Sequence, residues 1–355
     1  KVGRKAKEES FDFIRAVSTI GIVLFHNSFN YIEYSIGGNP FVFQKYGNGD
    51  WGGLFVAVFF MLSGAVLWYN YEDRLNVGEF YVKRWLAIFP MFYVAWAVQY
   101  CRNAHKFGTW LWGGPRKQFL MTFFGMDGYF MHRGLNYYCL GEWFLGAIIL
   151  LYVMFPLLRI LYKNKNLRIL TTILIAVFYT LNLYRDWFII SDGKNLLTCL
   201  MDFWIGMILV TYKERLKNLP AVILSFVLMV VVMIAPVPIK EVMCSTLTGA
   251  SMFILLMNAA AFVQKYKLPQ KFIKMISKYS FAIFLVHHVI LYIYMEPYAG
   301  MEIGFVKSIL MFLFITFVIV LIAALLTETV GLATGAVRQL LFHESGSGRG
   351  RGKKR

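Results

Sequence analysis

The sequence predicts an all-α polytopic membrane protein with about ten transmembrane helices and both termini in the cytoplasm. Of its 355 residues, 59% are hydrophobic and only 15% are charged, and the mean hydropathy is +0.58. Soluble globular chains carry about 25% charged residues, so this composition excludes a soluble domain. The apolar residues are also gathered in runs of roughly 17 to 25, the length that crosses a bilayer as a helix.

About ten such runs follow one another along the chain, mostly separated by short polar connections. They cover residues 11–31, 53–71, 80–100, 142–161, 168–185, 196–212, 220–236, 242–263, 279–295 and 305–330. The one long connection, 102–141, is rich in aromatic residues and is predicted to fold back at the membrane interface. We predict a single transmembrane domain over residues 1–335. A flexible basic cytoplasmic tail follows over 336–355, either native or a remnant of cloning.

The net charge of +17 comes from basic residues that are spread over several loops. Most of the 36 Lys and Arg residues fall into alternate connections, which the positive-inside rule places in the cytoplasm. This distribution explains the charge without nucleic-acid binding. The oligomeric state stays open, because lipid-facing and partner-facing apolar surfaces look alike in a sequence.

The first apolar run holds the clearest functional signal. Arg15 and His26 are eleven residues apart, so in a helix they share one face and lie about 16 Å apart along the axis. Ser18 and Ile22 are expected between them on the same stripe. Taken alone, Arg15 is better explained as a residue that contacts lipid phosphate. Together with a histidine deep in the bilayer, it predicts a functional site.

The chemistry of this pair is that of a phosphate binder and a base. Arginine binds phosphate through its fork of donors, and histidine can take a proton from a hydroxyl near neutral pH. The first helix would thus connect a phosphate-bearing cytoplasmic donor to His26 near the outer half of the membrane. The four cysteines show no metal-ligand spacing, so no metal site is predicted.

Four stretches together resemble one known family. DFIR at 12–15, followed by His26, resembles the D-x-x-R and R-x10-H signature of the integral membrane acyltransferases of family three, which acetylate sugars and cell-surface glycans. Three more stretches agree in order: VAVFFMLSGAVLW at 56–68, EWFLGAIILLYVMFP at 142–156 and SFAIFLVHHVIL at 280–291. One stretch departs, because KRWLAIFP at 83–90 keeps only the first arginine of the family's R-x-x-R.

The resemblance implies an acyl-CoA donor, with acetyl-CoA as the co-substrate and no metal. It implies that the CoA phosphates meet Arg15, Arg84, Lys83 and Ser18 at the cytoplasmic mouth. His26 would then act as a general base or carry the acetyl group covalently. Lys83 and Arg84 are equally well explained as ordinary positive-inside anchors. The implied acceptor is a saccharide or glycolipid of the cell envelope, at the bacterial cytoplasmic membrane.

Further candidates lie near the outer face and at mid-depth. Glu142 would orient His26 or bind a sugar hydroxyl, and Trp143 would stack on a sugar ring. Both are also explained as a helix-start acid and an interfacial aromatic residue. Asp202 and His287 are intramembrane polar residues that we place with the substrate-binding group. Asp202 could instead pair with an arginine of a neighbouring helix.

Two other function classes fit ten helices with buried ionisable groups. A transporter or flippase for a saccharide or lipid-linked glycan would suit this composition, but the inverted repeats of such folds are not evident. A partner-binding subunit of a polysaccharide assembly complex is the third class. It predicts that Arg15 and His26 are dispensable.

Overall fold

The computed structural model describes residues 8–39, 43–141, 143–185, 187–263 and 265–347. The chain is 79% helical and has no sheet domain among these residues. The helices are α1 (Glu9–Glu33), α2 (Trp51–Tyr71), α3 (Val77–Phe107), α4 (Phe119–Phe123), α5 (Trp143–Lys163), α6 (Lys165–Arg185), α7 (Leu196–Thr211), α8 (Lys213–Leu216), α9 (Leu219–Ile234), α10 (Glu241–Val263), α11 (Lys267–Met295) and α12 (Phe305–Ser347). Strands β1 (Lys45–Tyr46) and β2 (Gly49–Asp50) pair antiparallel just before α2, with Lys45 opposite Asp50.

A helix covers each predicted run, but only six of the described helices are both long enough and apolar enough to cross a membrane. These six are α2, α5, α6, α10, α11 and α12. α7 and α9 are apolar but have 16 residues each, which is short for a hydrocarbon core about 30 Å thick. The protein is therefore a multi-pass membrane protein. The predicted number of about ten spans and the cytoplasmic placement of both termini stay predictions.

α2 packs against α1, α7 and α10 at the centre of the bundle. Its closest approach is to α7, where a Cβ on Gly64 would lie 2.0 Å from the carbonyl oxygen of Phe203. In return, a Cβ on Gly206 of α7 would lie 1.8 Å from the carbonyl oxygen of Met61. Two helices can approach this closely only where small residues leave room for the facing backbone. This contact fixes α2 beside α7.

α1 packs against α2, α10 and α11, so one helix contacts both halves of the chain. The long connection after α3 folds back onto α3, where the indole nitrogen of Trp96 donates to the carbonyl oxygen of Tyr137 at 3.1 Å. Tyr137 is fully buried, and its hydroxyl donates to the carbonyl oxygen of Gly114 at 2.9 Å. The connection thus packs as a compact aromatic unit at the end of α3.

Candidate functional site

A cavity, here called the inner cavity, is lined by residues of α1, α2, α3, α5 and α11. Arg15 and His26 both line it, together with Ser63, Tyr152 and Ser280. Eleven helical residues complete three turns plus about 20°, which explains why the two side chains reach the same space. The structure therefore places the two polar groups of α1 in one cavity.

Arg15 is held at its end of this cavity by a small polar network. Its Nη1 lies 3.5 Å from Asp12 Oδ1 and donates to the hydroxyl oxygen of Ser277 at 3.2 Å. The Ser277 hydroxyl in turn donates to Asp12 Oδ1 at 2.7 Å, which connects α1 to α11. The Arg15 side chain stays 30% exposed. The guanidinium is thus oriented and still accessible to an anion.

Lys83 and Arg84, which are adjacent near the start of α3, face different surroundings. Arg84 lies over the ring of Tyr152, with its Cζ 5.8 Å from the ring centroid, and Tyr152 lines the inner cavity. Lys83 forms an ion pair with Glu79 at 2.5 Å on an exposed face. Consecutive helical residues point about 100° apart, so the two side chains leave α3 in different directions. The structure brings Arg84, and not Lys83, beside the inner cavity.

Ser18 is fully buried and lines neither of the two cavities described here. Thr19 lines the inner cavity in its place, and its hydroxyl donates to the carbonyl oxygen of Arg15 at 2.8 Å. Position 18 is 300° around the helix from position 15, whereas position 19 is 400°, or 40° past a full turn. The helical angle explains why Thr19 takes the place predicted for Ser18.

Three histidines from two helices form a cluster at the opposite end. The ring centroids of His26 and His288 are 3.9 Å apart, and those of His26 and His287 are 5.1 Å apart. Nδ1 of His287 lies 2.9 Å from the carbonyl oxygen of Phe284. A carbonyl can only accept, so Nδ1 carries the proton and the lone pair is on Nε2. That buried Nε2 has no hydrogen-bond partner among the described residues.

This cluster could also hold a metal ion. One ligand nitrogen from each of His26, His287 and His288 lies within 4.8 Å of the other two. The contact between His287 Nδ1 and a backbone carbonyl is the kind that orients a metal-binding imidazole. Three imidazoles suit zinc, copper or nickel. The sequence analysis predicted no metal site from the spacing of the cysteines alone. The cluster was missed because His26 lies far along the chain from the other two histidines.

A second cavity, here called the outer cavity, is also bordered by His26. His26 and Trp143 line both cavities. The polar lining of the outer cavity consists of Asp50, Ser191, Lys194, Thr198, Asp202, Glu241 and Ser245. The imidazole of His26 therefore lies at the boundary between two spaces. One contains Arg15 and the other contains most of the carboxylates near the site.

Two predicted residues, Asp202 and Trp143, lie in the outer cavity. Asp202 is 4% exposed, and its Oδ1 accepts a hydrogen bond from the hydroxyl of Thr246 at 2.8 Å. The Lys194 ammonium lies 5.4 Å from the ring centroid of Trp143. Glu142 lies outside the described residues.

Sequence reasoning missed several residues of the site, which are Asp50, Lys194, Thr198, Glu241 and His288. Asp50 precedes α2 and Glu241 begins α10, and acidic residues at helix starts have a local explanation. Only His288 left a signal of its own, as the second member of a histidine doublet in an apolar run. The others come together through the packing of distant helices.

A family model described as an acyltransferase domain matches residues 8–328. The match covers α1 through most of α12, so it includes every residue of both cavities. Comparisons with curated proteins and with solved structures found no match.

Proposed function

The chain belongs to acyltransferase family 3, and from this premise we propose that it moves an acetyl group from cytoplasmic acetyl-CoA to a saccharide hydroxyl. The acceptor would be an extracytoplasmic or lipid-linked saccharide of the bacterial cell envelope, modified at the cytoplasmic membrane. One observation carries this proposal, the position of His26 on the wall of both cavities. A base at the boundary of two spaces can meet a donor from one side and an acceptor from the other.

The inner cavity suits the donor. An oriented but accessible guanidinium at Arg15 can bind a phosphate of CoA, and Arg84 lies next to the same cavity beside Tyr152. The largely apolar walls between Arg15 and His26 fit the uncharged pantetheine arm. In this arrangement the thioester carbonyl would reach His26 while the nucleotide stays at the cytoplasmic mouth.

The outer cavity suits the acceptor, and the transfer balances without a further reactant. A nitrogen of His26 takes the proton of the acceptor hydroxyl as its oxygen attacks the thioester carbonyl carbon. The new C–O bond forms, the C–S bond breaks, and the CoA thiolate leaves with the proton from the imidazolium. In the alternative route, His26 carries the acetyl group on nitrogen before the hydroxyl takes it. Both routes require the same imidazole.

The family membership favours acyl transfer over the transporter alternative. The third function class, a binding subunit without catalysis, remains distinguishable by experiment. It alone predicts that changes at Arg15 and His26 leave the protein's activity unaltered.

The test uses the purified full-length protein, acetyl-CoA labelled in the acetyl group and a panel of saccharides. We expect His26→Ala to lower kcat by about 10² to 10⁴, the usual contribution of a positioned base. We expect Arg15→Ala to raise KM for acetyl-CoA by about 10- to 100-fold, because a hydrogen bond to a charged group is lost. The two variants thus separate donor binding from chemistry.

The matched controls are His132→Ala and Arg74→Ala, which alter an exposed histidine and an exposed arginine outside both cavities. Both should transfer acetyl groups like the wild type. Wild-type rates in His26→Ala and Arg15→Ala would overturn the proposed mechanism. Equal losses in the control variants would show that the assay reports folding and not the site.

A further inference from the structure

The N-terminal end of α7 faces the outer cavity. This helix has 16 residues, and the side chain of its cap, Asn195, accepts from the backbone nitrogen of Thr198 at 3.0 Å. Lys194 lies just before the cap and Thr198 lies in the first turn, and both line the cavity. The N–H groups and the dipole of a helix favour a negative charge at its N-terminal end. An anion in the outer cavity would therefore be favoured at this end of α7.

Lys194 supplies a positive charge that has no ion-pair partner within the described part of the chain. Its ammonium lies 5.4 Å from the ring centroid of Trp143 and close enough to His26 and His288 to interact with both electrostatically. Burial lowers the pKa of Lys194, as expected for an ammonium that no carboxylate stabilises. A negatively charged ligand beside the ammonium would offset the cost of this burial.

The three carboxyl groups among the described lining residues of the outer cavity are engaged within the protein. Glu241 lies 3.7 Å from the ammonium of Lys45. Asp50 caps α2 and shares a hydrogen bond with Glu241. Asp202 is 4% exposed, and this burial favours its uncharged form. These carboxyl groups therefore leave the charge of Lys194 available to a ligand.

Thr198 contributes a hydroxyl that a ligand could satisfy. The residue is 3% exposed and lines the outer cavity, and its hydroxyl has no hydrogen-bond partner among the described residues. Buried hydroxyls nearly always find a partner in folded proteins. A hydroxyl can donate to a carboxylate or phosphate oxygen, and such hydrogen bonds to charged acceptors are the stronger ones. Lys194 and Thr198 thus offer a charged donor and a neutral donor at one helix end.

We propose that the acceptor is an anionic saccharide whose carboxylate or phosphate group binds at the N-terminal end of α7, between the Lys194 ammonium and the Thr198 hydroxyl. This inference rests on the proposed function and narrows its substrate class. His26 borders the same cavity, so the reacting hydroxyl would lie close to the anionic group. The bound anion would also offset the repulsion between the Lys194 ammonium and the imidazolium that forms on His26.

The experiment compares acceptors that differ in the anionic group. We would measure acetyl transfer to the methyl glycosides of glucose, glucuronic acid and a glucose phosphate, and to the corresponding galactose series. In a series that is accepted, the wild type should favour an anionic member over the neutral one by at least about tenfold in kcat/KM, which is one tenfold step in affinity. The better anionic member shows whether the group is a carboxylate or a phosphate. The preference should weaken at high ionic strength, because Lys194 is partly exposed.

The informative variants alter the two donors one at a time. Lys194→Gln should lower the anionic-to-neutral ratio at least about tenfold, whereas Lys194→Arg should keep it, because arginine retains the charge. Thr198→Val should lower the ratio by about 10- to 100-fold, as expected when a hydrogen bond to a charged group is lost. The matched controls, Lys106→Gln and Thr180→Val, alter exposed residues outside both cavities and should leave the ratio unchanged.

Two results would overturn the inference, namely a wild type that prefers the neutral acceptor and a ratio that Lys194→Gln leaves unchanged. Thr198→Val provides the same test if Lys194→Gln does not fold. Equal losses with neutral and anionic acceptors in both variants would assign these residues a structural role and would also overturn the inference.

The inference and the proposed function fail in different ways. Transfer that depends on His26 but shows no preference for anionic acceptors overturns only the inference. Absence of His26-dependent transfer to every acceptor overturns the proposed function. In that case, binding of the methyl glycosides to the purified protein is measured by ligand-observed NMR. Anion-dependent binding that Lys194→Gln weakens would still support the anion site, and binding that does not depend on Lys194 would overturn it.

Discussion

His26 lies against two imidazoles that another helix supplies. His287 is oriented by the backbone carbonyl of Phe284, and His288 lies against His26 with ring centroids 3.9 Å apart. In the proposed mechanism the lone pair of His26 must stay available for a proton. A metal ion that prefers imidazole would compete for the same lone pair.

We expect added Zn²⁺ to inhibit acetyl transfer, because ligation by the three histidines would occupy the nitrogen that takes the hydroxyl proton. Steady-state rates with and without Zn²⁺ measure this, and EDTA should restore the rate. His288→Phe should weaken the inhibition by more than about 10- to 100-fold, the cost of losing an outer-shell partner, since a ligand itself is lost. EDTA alone should leave the untreated enzyme unaffected. A loss of activity on chelation would contradict a base that acts without metal.

Asp127, in the connection between α3 and α5, gives a prediction about pH. The residue is fully buried, and burial raises its pKa to about 6 from the ordinary value of 3.8. The folded state therefore holds the proton more tightly than the unfolded state does. Its contribution to stability is lost as pH rises from about 4 to about 6, and it stays lost above that range.

Asp127→Asn should remove this dependence, because the amide has no charge to bury. At pH 8 we expect the unfolding free energy of the variant to exceed that of the wild type by up to about 3 kcal/mol. The variant should therefore melt at a higher temperature. The difference should close near pH 4. Thermal unfolding in detergent at both pH values measures it. A wild type that is as stable as the variant at pH 8 would show that the ionised carboxylate is solvated.

At the scale of elements, α1 shows how far helical periodicity predicts a site. Arg15, Ile22 and His26 all line the inner cavity. This is expected, because Arg15 and His26 are about three helical turns apart and therefore lie on one face, with Ile22 between them. The sequence could place them on one face because their spacing alone fixes the angle between them. It misjudged Ser18, which lies 60° from Arg15 and points into the packed interior.

The contact between α2 and α7 gives a prediction about stability. A Cβ at position 206 would lie 1.8 Å from the carbonyl oxygen of Met61, so the two helices would have to move apart. We expect Gly206→Ala to destabilise the protein by about 1 to 3 kcal/mol, the usual cost of overpacking. The change should appear as a lower melting temperature in detergent.

The matched control is Gly331→Ala on α12, where a Cβ would have nothing within 4 Å. Alanine has the higher helix propensity, so this variant should melt at the wild-type temperature or slightly above it. Equal melting of the two variants would show that α2 and α7 tolerate a wider separation.

At the scale of the whole molecule, the two cavities share a wall to which both His26 and Trp143 contribute. Arg15 lines one cavity and the carboxylates line the other, and α1 connects the two levels through its Arg15 to His26 face. A donor and an acceptor that enter from opposite sides could therefore react without crossing the bilayer. This arrangement works only if the two cavities open on opposite sides of the membrane.

The orientation is tested with introduced cysteines in a Cys101→Ser, Cys139→Ser background, because Cys101 is exposed and Cys139 partly exposed, whereas Cys199 and Cys244 are buried. Ser191→Cys, between α6 and α7, should react in intact cells with a membrane-impermeant maleimide, since that connection is predicted outside. Arg74→Cys, between α2 and α3, should react only after the cells are permeabilised. The reverse pattern would invert the assignment of donor and acceptor cavities.

The sequence by itself determined the membrane class, the positions of the main helices and the shared face of Arg15 and His26. These features depend on local properties, namely apolar run length and the fixed angle between residues of one helix. Only the tertiary structure decided that His288 lies against His26, that Arg84 and not Lys83 lies beside the inner cavity, and that Asp50, Asp202 and Glu241 share the outer cavity. The physical reason is that these neighbours belong to different helices. Their meeting depends on how apolar surfaces pack, and the order of residues along one helix does not encode it.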